Sequence, residues 1–284
     1  KANAALVKVE IPESVTEIGC YAFSRCSGLE SVYFKKKVNK IGFNAYEYCT
    51  GLKKIEFQKN DEKVKDDNGQ EKIYPLVLTR GSFSNCIELK EVVLSPNVEE
   101  IGNEVFYGCT ALKQIEIPEG VEIIGEQAFA KCKNLETINL PEGLTEVGYR
   151  FIADTAVKSL KVPKTVNRSY TYGSSGATGG AAALEEVIFE EGMIKIPDYF
   201  CANNKANAAL VKVEIPESVT EIGKYAFKNC TNITIYGYKN SCAESYAIEN
   251  NIPFSALDDE ENKHTESEVC FFSRWDAEKQ IAYW

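Results

Sequence analysis

The sequence repeats itself with a period of about 23 residues. An apolar residue opens each unit, and the openings are Leu6, Leu29, Leu52, Leu89, Leu112, Leu135, Val157, Leu184, Leu210 and Ile233. A unit this short cannot cover its own apolar side, so it must stack on its neighbours, and a fixed period of this size predicts a solenoid. In a solenoid, function is expected on an extended surface rather than in an enclosed pocket.

The first half of each unit predicts a β-strand. It reads L-x-x-V/I-x-I/F/L, as in LVKVEIP from Leu6 and LKQIEIP from Leu112. Apolar residues at every second position indicate a strand with one buried side, and stacked units place such strands in a parallel ladder. Proline has no N–H for the ladder, so we expect the strands to end before Pro12, Pro118, Pro141, Pro163 and Pro216.

The second half of the unit reads I/V-G-x-x-A-F-x-x-C, as in IGEQAFAKC from Ile124. Its glycine allows either a backbone turn or a close approach that a Cβ would prevent. The small and large apolar residues that follow predict a short helical or 3₁₀ turn on the opposite side of a curved slab. The predicted fold is therefore a repeat solenoid, mainly β, with short helical or 3₁₀ turns.

The full unit, L-x-x-V-x-I-P-x-S-V-x-x-I-G-x-x-A-F-x-x-C, resembles the leucine-rich repeat of the BspA type, which occurs in bacterial surface proteins and some parasitic protists. The resemblance covers about residues 1–257. It implies a leucine-rich-repeat solenoid at the cell surface or outside the cell, often adhesive, and supplies no catalytic residues. Residues 233–257 resemble the terminal unit of such arrays, which implies a C-terminal helical cap from about Ser241 to Asn250.

Two segments interrupt the expected solenoid of about ten repeats over residues 1–257. The insertion 58–75 is strongly charged, and Asn68-Gly69 within it predicts a hairpin with a two-residue turn. A calcium loop is the alternative, but its first ligand position would fall on Val64. The repeats over 157–209 are irregular, and their glycine-rich stretch 168–183 predicts a flexible excursion whose Tyr170 and Tyr172 could join a ligand surface.

The two ends of the chain differ from the array. Residues 1–19 are identical to residues 205–223, so the first unit starts in mid-array without a cap. We expect the natural chain to continue upstream, and the open edge strand offers a route to association, although the oligomeric state is not fixed by the sequence. Residues 258–284 predict an acidic linker followed by the start of a further segment.

Cysteine placement predicts a structural role. One cysteine recurs three residues after the aromatic residue of the unit, so stacking should give a file of small, buried, reduced side chains. Cys201 and the exposed Cys20 are expected to lie off this file, and no C-x-x-C pair suggests zinc, so we expect no metal or cofactor. The members of the file are Cys26, Cys49, Cys86, Cys109, Cys132 and Cys230.

Composition argues against several classes of function. The only histidine, His264, lies in the acidic linker, which excludes Ser–His or Cys–His catalysis in the solenoid. Paired carboxylates would need a cleft, which a single ladder does not offer. A net charge of −10 disfavours nucleic acid, and no apolar run is long enough to be a transmembrane segment. We therefore expect a non-enzyme.

The polar positions of the strands define the candidate binding surface. Tyr33, Val93 and Ile188 place apolar groups where a solvated ladder would be polar, which favours partner recognition, although scattered exposed apolar residues are also normal. We expect a protein or glycan partner. The alternatives are a structural spacer or a non-catalytic part of a larger secreted enzyme. The polar neighbours predicted to share this surface are Lys54, Glu116, Asn139 and Lys161.

Overall fold

A computed structural model describes residues 6–59, 63–65, 71–73, 75–172, 175–202 and 209–258. The chain winds into a solenoid in which each full repeat contributes a strand to a first column, a short strand to a second column, and a run of turns to a third, the turn column. The parallel-strand solenoid and its period are confirmed.

The first column consists of parallel strands with alternating burial. In β3, Val32 and Phe34 are buried while Ser31 and Tyr33 are half-exposed, as the period-two pattern predicts. Each strand ends before the proline of its repeat. The strands are β1 (Lys8–Ile11), β3 (Ser31–Phe34), β5 (Lys54–Phe57), β9 (Glu91–Val93), β11 (Gln114–Ile115), β13 (Thr137–Ile138), β15 (Ser159–Val162), β17 (Glu186–Phe189), β19 (Lys212–Glu214), β21 (Thr234–Gly237) and β22 (Phe254–Ala256).

Where a repeat has the recurring glycine, its second-column strand ends at the isoleucine or valine just before that glycine. The sequence pattern does not show this column, because most of its strands are too short for alternation to be recognised. Seven of its strands form one parallel sheet, in the order β16-β14-β12-β10-β8-β4-β2. The strands are β2 (Glu17–Ile18), β4 (Lys40–Ile41), β8 (Leu76–Leu78), β10 (Val98–Ile101), β12 (Ile123–Ile124), β14 (Glu146–Val147), β16 (Arg168–Ser169), β18 (Lys195–Ile196) and β20 (Glu221–Ile222).

The turn column is not helical, so the expected helical or 3₁₀ turns are wrong. Gln127 and Lys131, four residues apart, have φ of 52° and 62°, and equivalent residues in other repeats do the same. Such angles cannot belong to a right-handed helix. They turn alternate amides toward the next repeat, where Phe129 N donates to Phe151 O at 2.8 Å and Lys131 N to Ala153 O at 2.7 Å. Main-chain bonding between repeats thus continues beyond the strands.

The hydrophobic core is one continuous cluster along the solenoid, and it contains a file of stacked aromatic side chains. Five aromatic rings stack with neighbouring centroids 4.9–5.9 Å apart and planes within 14°. The file ends at Ile152, which takes the aromatic position in the following repeat and is fully buried. The rings are Phe23, Tyr46, Phe83, Phe106 and Phe129.

The predicted cysteine file is confirmed, and its thiols are free. Cys49, Cys86, Cys109 and Cys132 are buried, whereas Cys26 and Cys230 toward the two ends are half-buried. Each buried thiol donates to the carbonyl of the preceding repeat's aromatic residue, as Cys132 Sγ does to Phe106 O at 3.0 Å. The buried Cys201 is off this file because it occupies the aromatic position, where its carbonyl accepts the Cys230 thiol.

Close approach, not a turn, explains the repeated glycine. None of the glycines that follow the isoleucine or valine has positive φ. A Cβ on Gly148 would lie 2.2 Å from Glu126 N of the preceding repeat, and one on Gly125 would lie 2.5 Å from Asn103 N. Gly19, in the first described repeat, has nothing within 4 Å of its Cβ position. The glycine therefore sets the spacing between repeats.

The carboxyl-terminal repeat ends in the expected helix. The helix α1 (Cys242–Glu249) has Ser241 as its N-cap and Asn250 as its C-cap. Ser241 Oγ accepts a hydrogen bond from Glu244 N at 3.3 Å, and Glu244 Oε2 accepts one from Asn240 N at 2.6 Å, which satisfies two amides at the helix start. Ala243 and Ala247 face the core.

The charged insertion contains an antiparallel hairpin formed by β6 (Lys63–Lys65) and β7 (Glu71–Ile73), as predicted. Lys65 pairs with Glu71, so an odd number of residues connects the strands. The expected two-residue turn at Asn68-Gly69 does not fit this register, and those two residues lie outside the described ones. Residues 259–284, with His264, also lie outside the described residues.

Replacing Gly148 by alanine should destabilise the solenoid by about 1–3 kcal/mol, because the added methyl group meets main-chain atoms that cannot move aside. Gly19→Ala is the matched control, since its Cβ position is open, and it should leave stability unchanged or slightly raised. Urea unfolding followed by circular dichroism measures both. Equal midpoints for the two variants would contradict the close-approach role.

Tyr46→Phe should raise stability by about 1 kcal/mol, because the fully buried Tyr46 hydroxyl has no hydrogen-bond partner and burying it unpaired is costly. The ring itself stacks between Phe23 and Phe83, and phenylalanine preserves that contact. The thermal unfolding midpoint measures the effect. A lower midpoint for the variant would show that the hydroxyl has a partner.

Iodoacetamide should label Cys20 in the folded protein at pH 8 and leave Cys49 unlabelled. Burial raises the pKa of the Cys49 thiol to about 12, so almost no thiolate is present there, while Cys20 is exposed. Peptide mass spectrometry before and after denaturation in urea distinguishes the two sites. Labelling of Cys49 without denaturant would indicate that the core opens readily.

Candidate functional site

The outward-facing side chains of the first column form a continuous surface, which we call the strand face. Parallel pairing in register lines up equivalent residues of successive repeats. Tyr33 pairs with Glu10 on one side and Glu56 on the other, and Ile188 pairs with Lys161 and Glu214. All seven predicted site residues lie on this face.

Charges toward the amino-terminal part of the strand face are paired. Lys54 Nζ lies 2.6 Å from a Glu91 oxygen and 3.0 Å from a Glu56 oxygen, and these hydrogen bonds raise the pKa of Lys54. Lys35 pairs with Glu10 at 3.0 Å. These exposed pairs add little to stability, but they leave the face close to neutral there.

The carboxyl-terminal part is paired in the same way. Lys212 Nζ lies 2.7 Å from Glu186 and 3.2 Å from Glu214. Partial burial acts to lower the pKa of Lys212, but the two carboxylates outweigh it and the net shift is upward. Lys161 is likewise paired with Glu190. The lysines named on both parts of the strand face are therefore neutralised by the chain's own carboxylates.

The middle of the strand face is different in shape and chemistry. The strands β11 and β13 pair only with each other in the described chain, so the first column is divided there. Two adjoining depressions of about 500 Å³ and 540 Å³ lie over this region and share Thr137 and Asn139. The uncharged polar side chains that line them are Gln114, Thr137, Asn139 and Ser159. We call these four residues the central polar patch.

The structure brings some of the predicted site residues together and separates others. Glu116 and Asn139 line the first depression, and Asn139 and Lys161 line the second. Lys161 and Ile188 share a third depression of about 450 Å³. Tyr33, Lys54 and Val93 lie on the other side of the break in the first column and line none of these three depressions.

The expected exposure of apolar residues is found only in part. Val93 is 42% exposed, whereas Tyr33 and Ile188 are half-buried between neighbouring side chains. Gln114, Thr137 and Ser159 were not among the predicted site residues, although they occupy the other outward position of the same strands. Their run of uncharged polar residues between charged repeats is the sequence signal that identifies them.

The described residues offer groups for noncovalent binding. Within them no group of three or more His, Cys, Asp or Glu side chains is placed to hold a metal ion. The part of the chain with described structure also contains no helix with the length and hydropathy needed to cross a bilayer. The central polar patch supplies amides and hydroxyls that donate and accept hydrogen bonds.

Solved structures of similar proteins are bacterial leucine-rich repeat proteins. A leucine-rich cell surface protein from Faecalibacterium prausnitzii has 25% identity and a TM-score of 0.56, covering 81% of this chain and 69% of its own. A leucine-rich repeat protein from Bacteroides ovatus has 20% identity and a TM-score of 0.42, covering 88% and 83%. The pneumococcal vaccine antigen PcpA has 14% identity and a TM-score of 0.41, covering 89% and 78%. No curated protein matches.

The family comparison covers most of the chain. The model described as "BspA type Leucine rich repeat region" matches six copies over residues 2–68, 77–178 and 175–274. Repeats of this fold and family are typically non-enzymatic. The matched range includes the strand columns, the turn column and the terminal helix described above. The chain therefore belongs to the BspA type leucine-rich repeat family.

Proposed function

We propose that this chain is a non-catalytic recognition module, displayed at the cell surface or secreted, that binds a protein or glycan partner in an adhesin-like manner through the strand face. The observation that carries the proposal is the central polar patch. Its hydrogen-bonding side chains lie over two adjoining depressions, between parts of the face whose lysines are already paired.

Three properties of the patch support binding. Its amides and hydroxyls lose less on desolvation than charged groups, so a partner can cover them at lower cost. Apolar side chains also line the first depression, and a bound partner could bury them away from water. They are Val92, Ile117 and Leu140. The strands beneath, β11 and β13, pair with each other, and Glu136 N donates to Lys113 O at 2.9 Å. This pairing restrains the backbone, so less conformational entropy is lost when a partner binds.

The extracellular placement is supported by the family and by the Faecalibacterium protein's description as a cell surface protein. A structural spacer, or a non-catalytic part of a larger secreted enzyme, remains the competing function. A spacer needs only the stacked core, so changes on the strand face would leave its role untouched. Binding experiments therefore separate the two functions.

Asn139→Arg should weaken partner binding strongly, because a long charged side chain would fill the region shared by the two depressions. Fluorescently labelled protein is titrated onto intact bacterial cells and cultured epithelial cells, and bound label is measured by flow cytometry. Wild-type protein should bind at least one cell type saturably. The variant should lose tenfold or more of its affinity.

Ser14→Arg is the matched control, since it introduces the same charge at an exposed position just after β1, away from the central polar patch. It should bind as the wild type does. If the Asn139→Arg variant still bound saturably with the affinity of the wild type, the binding site would lie outside the central polar patch. Absence of saturable binding to both cell types would favour the spacer.

A further inference from the structure

The second column is interrupted after β16, at two repeats that lack the usual glycine. The residue in the glycine position normally donates its amide to the preceding repeat, as Gly148 N does to Ile124 O at 2.7 Å and Gly223 N to Ile196 O at 2.9 Å. Pro197 occupies this position in the repeat after β16 and has no amide hydrogen. Accordingly, β16 ends its sheet, and β18 pairs only with β20 among the described strands.

Aromatic side chains are exposed at this interruption. Tyr170 takes the glycine position of its own repeat and is 43% exposed, and Tyr172 is 77% exposed, the highest among the large hydrophobic residues described. The Tyr172 ring lies 5.8 Å from that of Tyr149, tilted by 37°. We call Tyr149, Tyr170 and Tyr172 the tyrosine patch. It lies just after the second-column strands β14 and β16 and is separate from the strand face.

The polar groups that contact Tyr170 are paired with one another. Tyr170 Oη donates to Glu146 Oε2 at 2.6 Å, and Arg168 Nη1 donates to Glu146 Oε1 at 2.6 Å. Both oxygens of the carboxylate are thus engaged. The rings of Tyr149 and Tyr172 lie outside this network and are left for a partner to contact.

Basic side chains cover several other tyrosine rings of the solenoid. Arg25 lies over Tyr48 with its Cζ 5.1 Å from the ring centroid, and Lys131 lies 5.0 Å from the centroid of Tyr107. Tyr225 has two lysines over it, at 4.4 Å and 4.9 Å. In the described structure no lysine or arginine lies over Tyr149 or Tyr172. The described residues therefore supply a cation to the rings of Tyr48, Tyr107 and Tyr225 but not to those of Tyr149 and Tyr172.

We propose that the tyrosine patch binds a basic segment of a protein partner, with an arginine or lysine side chain over the rings of Tyr149 and Tyr172. Attraction of a cation to an aromatic face provides the contact. The net charge of −10 would draw a basic segment toward the chain. Neighbouring serine and glycine residues resemble the Tyr, Ser and Gly composition of antibody binding loops, where rigid tyrosines supply contact area at low entropic cost.

The test uses a fluorescein-labelled peptide of alternating arginine and glycine, with binding followed by fluorescence anisotropy. Tyr172→Leu should weaken binding about two- to fivefold, the range expected for an exposed cation–aromatic contact, whereas Tyr172→Phe should retain it. Tyr225→Leu is the matched control, because its ring is already covered by lysines, and its affinity should equal that of the wild type. Tyr172 is largely exposed, so neither substitution threatens folding.

A peptide with citrulline in place of arginine keeps the shape and removes the charge, and it should bind several-fold more weakly. Equal affinity for the two peptides, or equal affinity of Tyr172→Leu and wild type, would overturn the proposal. So would a soluble β-glucan oligosaccharide that binds the wild type and is lost in Tyr172→Leu while the peptide is not. Asn139→Arg should leave peptide binding unchanged, so the experiment tests the tyrosine patch separately from the strand face.

Discussion

The structure depends on main-chain hydrogen bonds between successive repeats. These bonds form along most of each repeat, and they require the same distance between neighbouring backbones throughout. In the strand columns these are parallel β-ladders, and in the turn column they continue because residues such as Gln127 and Lys131 adopt positive φ. Left-handed conformations cost energy in residues with a side chain, and the bonds that they allow offset the cost. In most repeats, glycine at one position lets the backbones approach closely enough for these bonds to form together.

Features that depend on side chains facing the core could be predicted from the sequence. The buried leucines, the alternation in the first column and the cysteine file each need a particular residue type at a particular place, and the period reveals them. The terminal helix was predictable because Ser241 and Asn250 cap it locally. The second column and the turn geometry were not, since two-residue strands and main-chain bonds between repeats leave no side-chain signature.

For the candidate surface, the sequence predicted which side of the strands the residues occupy. Alternation places Glu116, Asn139 and Lys161 on the outward side, and the structure confirms their side of the strand. Their grouping around depressions follows from the division of the first column near β11 and β13, which is a property of neighbouring repeats rather than of any one of them. The tyrosine patch lies where Pro197 of the following repeat interrupts the second column. The sequence pointed to Tyr170 and Tyr172 through the irregular, glycine-rich stretch beside them, but it did not place Tyr149 with them.

The stacked rings from Phe23 to Phe129 make the junctions between repeats unequal in strength along the solenoid, although the repeat period is regular. Each stacked pair adds about 0.5–1.5 kcal/mol to the junction between two repeats, and the series stops where Ile152 replaces the ring. A repeat array holds together through contacts between neighbours. The junction between the repeats of Phe129 and Ile152 lacks that stacked pair, whereas later junctions carry T-shaped or tilted pairs such as Phe189–Phe227 and Tyr199–Tyr225. Tension or heat would then separate the repeats first at the junction next to Ile152.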